Sequence, residues 1–206
     1  TTAWQELATY DDDNSLVDGY GVFWSADGGA TWGRDELYVG QTVQFKFNMH
    51  KKNVGTHYAD HLKAWLDWGQ DGTFDDPEDV IIYGERTLAF SESGNFGSWN
   101  TPNVPSFSYF SGEFTLTESH IGDTWLRARV VCSHSLVARD GGNWNEQWTD
   151  EYMGNYENIF YATGHYHQGE VEEWQLTVNA VPEPATMLLF GIGLLGIARV
   201  SRVKHQ

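Results

Sequence analysis

"HLKAWLDWGQDGTFDDPED" runs from His61 to Asp79 and changes character halfway. In its first half Leu62, Ala64, Leu66 and Trp68 fall on one side of a period-two pattern, the signature of a strand with one face buried. In its second half Gly69 and Gly72 stand among six acids (Asp67, Asp71, Asp75, Asp76, Glu78, Asp79), which reads as a tight acidic turn. The same alternation recurs in "TVQFKFNMH" (42–50), where Val43, Phe45, Phe47 and Met49 alternate with Gln44, Lys46 and Asn48. It returns in "GEFTLTESHIGDTWLRARVVCS" (112–133), where Leu126, Ala128, Val130 and Cys132 share a face, and in "GEVEEWQLTV" (169–178). "DVIIYG" and "RTLAF" read as two short strands about a turn at Gly84-Glu85, and Val22, Phe23 and Trp24 as an early strand. Short strands at regular spacing predict an all-β fold, an antiparallel, jelly-roll-like β-sandwich.

Composition agrees. The 206 residues include 22 Gly, 10 Trp, 10 Tyr and 11 Phe, an aromatic-rich mixture suited to strands and turns. A net charge of −17 excludes nucleic acid as a partner, because phosphate binding needs Lys and Arg to displace counterions. The single Cys132 excludes an internal disulfide framework. A first residue Thr1 fits removal of a signal peptide. Three segments follow from the patterning: a polar extension packed on the sandwich (1–36), the sandwich (37–180) and a tail (181–206). Within the sandwich, residues 139–168 lack periodicity and read as a long ordered insertion or a pair of short strands.

The tail, "VPEPATMLLFGIGLLGIARVSRVKHQ", runs from a Pro182-Glu183-Pro184 break into an apolar stretch and ends in Arg199, Arg202 and Lys204. Met187, Leu188, Leu189, Phe190, Leu194 and Leu195 lie in a hydrophobic helix with no polar face. Basic residues after a short apolar span suit transient insertion in an inner membrane with the positive end inside.

Metal chemistry is written into the acidic turn. With Asp67 as position one of a twelve-residue loop, Asp71 falls at five, Gly72 at six, Thr73 at seven, Asp75 at nine and Glu78 at twelve. Apart from Gly69 at position three, this is the spacing by which a loop wraps hard oxygen ligands around Ca2+. Water or another segment must replace the missing ligand, and Glu170 and Glu172, on one face of the last strand, are the candidates. An acidic β-turn without metal is the alternative. His57, Asp60 and His61, and separately His165 and His167, fall short of the three or four converging ligands of a zinc site. Trp24, Trp32, Trp99, Trp144 and Trp148 lie outside the clearest strands. They are candidates for stacking on sugars, for interfaces, or for a second layer of core.

Two resemblances rest on these residues. The Val181-Pro182-Glu183-Pro184 element, the apolar run and the basic end resemble the PEP-CTERM sorting signal of Gram-negative bacteria. That resemblance implies export through the inner membrane, processing by an exosortase-type enzyme, and a cell-surface or extracellular destination linked to exopolysaccharide or biofilm. "AWLDWGQDGTFDDPEDV", "TWLRARVV" and "GEVEEWQLTV" resemble a GEVED domain, a β-sandwich module of exported bacterial proteins. This chain carries Gly69 where that family commonly has Asn, and Glu173-Trp174 in place of Asp-Tyr. With the calcium loop they point to a non-enzymatic, calcium-stabilised surface or matrix protein, one variant being a self-assembling subunit whose apolar tail is kept and buried between copies. A carbohydrate-binding module acting on exopolysaccharide is the alternative, and a glycan hydrolase with an unrecognised carboxylate pair a more distant one.

Overall fold

A computed structural model describes residues 21–50, 58–87, 106–167 and 169–181. The strands are β1 (Val22–Ser25), β2 (Leu37–Tyr38), β3 (Thr42–His50), β4 (Ala59–Leu66), β5 (Val80–Thr87), β6 (Ser106–Thr115), β7 (Gly122–Cys132) and β8 (Gly169–Asn179). They form a three-stranded sheet in the order β1-β3-β6 and a five-stranded sheet in the order β2-β8-β7-β4-β5. Pairing is antiparallel except between β2 and β8, which run parallel over two residues. The result is the expected all-β sandwich, split three and five.

The alternating residues fill it. Val22, Val43, Phe45 and Phe47 from the smaller sheet meet Leu62, Ala64, Leu66, Leu126, Ala128, Leu176 and Val178 from the larger one in a single core. Register keeps these rows level: Leu66 lies opposite Leu126, which lies opposite Trp174. β1 completes the small sheet along β3, so part of the expected N-terminal extension is built into the sandwich.

Of the 139–168 stretch, residues 139–167 form an ordered insertion. After β7 the chain enters a short helix, α1 (Ser133–Arg139), then two 3-10 turns at Trp144–Trp148 and Tyr156–Ile159. Leu136, Val137, Tyr152, Tyr156, Phe160, Ala162 and Tyr166 make a second core against Trp65 and Val131. This covers the outer face of the five-stranded sheet, so β4 is buried on both sides: Leu62 and Leu66 inward, His61 and Trp65 under the insertion. The absent periodicity has a physical cause. Aromatic side chains on irregular backbone carry this layer, and such backbone has no repeat.

One expected turn is absent. Val80–Thr87 is a continuous strand through Gly84 and Glu85, paired with β4 along its length. Gly84 marks a close approach instead of a turn: a Cβ there would come within 2.5 Å of the Tyr109 ring on β6.

Candidate functional site: the acidic loop at the end of the sandwich

The 67–79 loop leaves β4 at one end of the sandwich, and the buried end of its first acid anchors it. Asp67 is only 2 % exposed. Its two carboxylate oxygens accept the backbone N–H groups of Asp71 (3.1 Å) and Gly72 (2.9 Å), its own N–H donates to Trp125 O (2.9 Å), and its carbonyl accepts the Thr124 hydroxyl. Gly72 adopts φ 82°, a left-handed value open to glycine at little cost. Trp68 caps the inner side, packing on Phe114 (5.3 Å) and His120 (4.7 Å). Gln70 donates to His120 O at 2.9 Å, tying the loop to the β6–β7 turn. Phe74 tucks beneath, half-buried against the second core with the Arg127 guanidinium 4.5 Å over its ring.

The loop's remaining acids divide into two groups. Thr73 bridges Asp71 and Asp75: its hydroxyl lies 2.8 Å from the Asp71 carboxylate and 2.5 Å from that of Asp75. The backbone N–H of Thr73 also donates to Asp71 (2.8 Å), and these bonds hold the Asp71 carboxyl below the usual carboxylate range. Asp76 is pushed the other way, above its ordinary value, chiefly by the negative charge of Glu78, then by burial and by Asp71, Asp75 and Asp67. Burial also raises Asp79, whose carboxylate accepts the Trp68 N–H at 3.1 Å.

At position twelve the chain turns. Glu78 is exposed, whereas Asp79 is buried. Pro77 starts a 3-10 turn over Pro77–Asp79, closed by Asp79 N–H to Asp76 O at 3.1 Å, and this rotation turns Asp79 inward. Asp76 and Asp79 are thus the acids that spacing passed over. The Asp76-Pro77 pair, a common start for a helical turn, is the signal that could have found them.

Glu170 and Glu172 do not join the loop. Glu172 pairs across β7 with Ala128, which pairs with Ala64 of β4. That is two strands over and three residues back from Asp67, on the order of 14 Å away from strand spacings of about 4.8 Å and rises of about 3.3 Å. Alternation turns Glu172 to the same face as Leu176 and Val178, and it is buried. Among the described residues no three His, Cys, Asp or Glu side chains stand close enough to hold a metal ion as they are placed. The loop therefore gathers acid without presenting a finished cage; a cation there would have to draw Asp71, Asp75 and Asp76 together.

The aromatic candidates part company. Trp24 is core, 8 % exposed, with its indole N–H donating to Asp35 O at 2.7 Å. Trp32 packs on Phe110 (5.4 Å) on the outer face of the small sheet, with the Lys46 ammonium 5.6 Å over its ring. Trp148 is 44 % exposed and meets Tyr58 edge-on at 5.5 Å. Trp144 starts a 3-10 turn of the insertion. Trp99, His57, the Pro182-Glu183-Pro184 element and the apolar residues Met187 to Leu195 lie outside the described residues. Among the described residues no helix is long and apolar enough to cross a membrane.

His61 is a core residue instead of a ligand. Its Nε2 lies 3.0 Å from the Ser133 hydroxyl and its Nδ1 2.9 Å from the Tyr83 hydroxyl. Ser133 spends its one proton on Ala59 O (2.9 Å), so His61 donates to it from Nε2.

A two-sheet sandwich with an aromatic insertion over one face and an acidic loop at one end defines a β-sandwich module. The GEVED domain model matches residues 61–177, and the chain belongs to that family. A PEP-CTERM protein-sorting motif matches residues 180–203, which makes this an exported protein routed to an exosortase. A comparison with curated proteins finds no match.

Proposed function

We propose that this is a non-enzymatic surface or matrix module whose sandwich is stabilised by calcium in the 67–79 loop, and which self-associates once exported. The observation that carries the calcium reading is the unneutralised charge at Asp76, crowded by Glu78, Asp71, Asp75 and Asp67. A divalent cation relieves that repulsion, and Asp71, Asp75 and Asp76 offer the hard oxygens it prefers. Binding to the folded form alone stabilises by about 2.7 kcal/mol at a hundredfold excess over the dissociation constant.

The non-enzymatic part draws support from a concavity that gathers carboxylates. A depression of about 240 Å³ is lined by Trp24, Asp27, Asp35 and Glu36, among others. A glycosidase acid needs a raised pKa. Hydrogen bonds from Ser25 and Thr31 pull Asp27 down to about 2.

A second reading, binding of exopolysaccharide, rests on Trp32 and Phe110, the latter 50 % exposed beside Lys46 on the outer sheet face. Melting curves decide the first reading: excess Ca2+ is expected to raise Tm over EGTA, with Asp71→Asn and Asp75→Asn losing most of the increment. Equal melting in both buffers returns the loop to a metal-free acidic turn. For the second, a glycan panel that quenches Trp fluorescence in the wild type but not in Trp32→Ala supports sugar binding; an unresponsive panel removes it.

A further inference from the structure

The loop ahead of β8 carries two histidines that neither the calcium reading nor the family assignment uses. Tyr166 is buried, while His165 and His167 on either side of it are exposed, so both imidazoles project outward from one side of the chain. Their ring centroids are 5.8 Å apart at 89°. With zinc–nitrogen bonds of about 2.0–2.1 Å, each ring centre lies about 3.2 Å from the metal, and two ligands at a tetrahedral angle place ring centres about 5.2 Å apart. The observed separation is within roughly half an ångström of that value.

The backbone beneath the pair is held firmly. Arg129 donates to Ala162 O (3.1 Å) and Gly164 O (2.9 Å), Arg127 to Ala162 O (3.1 Å), and Arg139 to Thr163 O (3.0 Å). The Tyr161 N–H donates to the Tyr166 hydroxyl at 2.9 Å, and the Arg129 guanidinium lies 4.4 Å over the Tyr166 ring. A pair of ligands carried on backbone held in this way has less chain entropy to lose on chelation. Their chemistry is selective. Neutral imidazole nitrogen suits borderline transition metals, whereas Ca2+ takes hard oxygen.

We propose that His165 and His167 form a half-site for a divalent transition metal such as zinc, completed by the same pair from a second copy of this chain. Two ligands leave half of a tetrahedral sphere open, and a two-fold axis through the metal brings identical patches together. The metal then acts as a switchable staple between exported copies, separate from the calcium loop in place and in ligand chemistry.

The experiment is a titration of the full chain with Co2+ as a spectroscopic stand-in for zinc, followed by Zn2+ displacement and cross-linking. The expected result is an intense visible band of tetrahedral Co2+ that saturates at one ion per two chains. A cross-linked dimer should accompany it and disappear with EDTA. His165→Ala and His167→Ala should each abolish band and dimer while leaving Tm in metal-free buffer unchanged, and Asp71→Asn should keep both. A weak octahedral spectrum, saturation at one ion per chain, or a dimer that survives in the double variant would overturn the proposal. Excess Ca2+ that erased the band would do the same.

Discussion

Asp67 and Asp76 sit nine positions apart in one loop and do opposite things. Asp67 is buried and satisfied by two backbone N–H groups, so it shapes the turn whether or not a metal is present. Charge-assisted hydrogen bonds contribute about 1.5–3 kcal/mol each, and Asp67→Ala is expected to cost about 3 kcal/mol in urea unfolding. Asp76 holds no such bonds and suffers its neighbours' charge. Its folded pKa lies above the ordinary 3.8, so its contribution to stability is present below that value and is lost as pH rises through the raised one. Calcium-free protein should therefore gain Tm on mild acidification toward the ordinary carboxylate range. Asp76→Asn should raise the calcium-free Tm at neutral pH and flatten that gain. Further down, Asp71, held below the usual range, loses its contribution as pH falls through its depressed pKa. An Asp76→Asn variant with unchanged melting in EGTA would show that the repulsion is screened by solvent and carries no weight.

At the level of elements, the aromatic insertion is the least legible part of the chain and one of its larger energetic pieces. Phe160 is fully buried and meets Trp65 (5.7 Å, edge-on) from β4 and Tyr166 (5.7 Å) from its own loop. Phe160→Ala is expected to cost about 3–5 kcal/mol, and hydrogen exchange should show 144–167 opening while β4, β7 and β8 stay protected. Uniform loss of protection across both layers would mean that sandwich and insertion unfold as one unit. Gly84 tests the other side of the same sheet. A Cβ there strikes the Tyr109 ring, so Gly84→Ala should cost about 1–3 kcal/mol, and Tyr109→Ala in the same chain should recover part of it.

For the whole molecule, the export signal adjoins the last strand of the sandwich. The PEP-CTERM motif at 180–203 follows directly on β8. Replacing Pro182-Glu183-Pro184 by alanines should leave the chain uncleaved and membrane-associated, as read by fractionation and intact mass. A processed, surface-exposed variant would place recognition elsewhere. Much of this was readable without coordinates. The period-two rows Val43-Phe45-Phe47, Leu62-Ala64-Leu66 and Leu126-Ala128 need only the pleat of a strand, and they specified the sandwich and its inward face. The Asp67–Gly72 turn was equally plain, because few residues other than Gly tolerate its left-handed step. What the linear chain could not convey was which distant groups meet. Glu170 and Glu172 have the right chemistry for the loop, but strand order sets them two strands away. Glu78 has the right spacing, and a 3-10 turn started by Pro77 leaves it at the surface while Asp79 faces inward. Local pattern follows from local sterics and hydrophobic periodicity, so sequence determines it. Ligand convergence depends on register and strand order, which only the long-range packing of the two sheets decides.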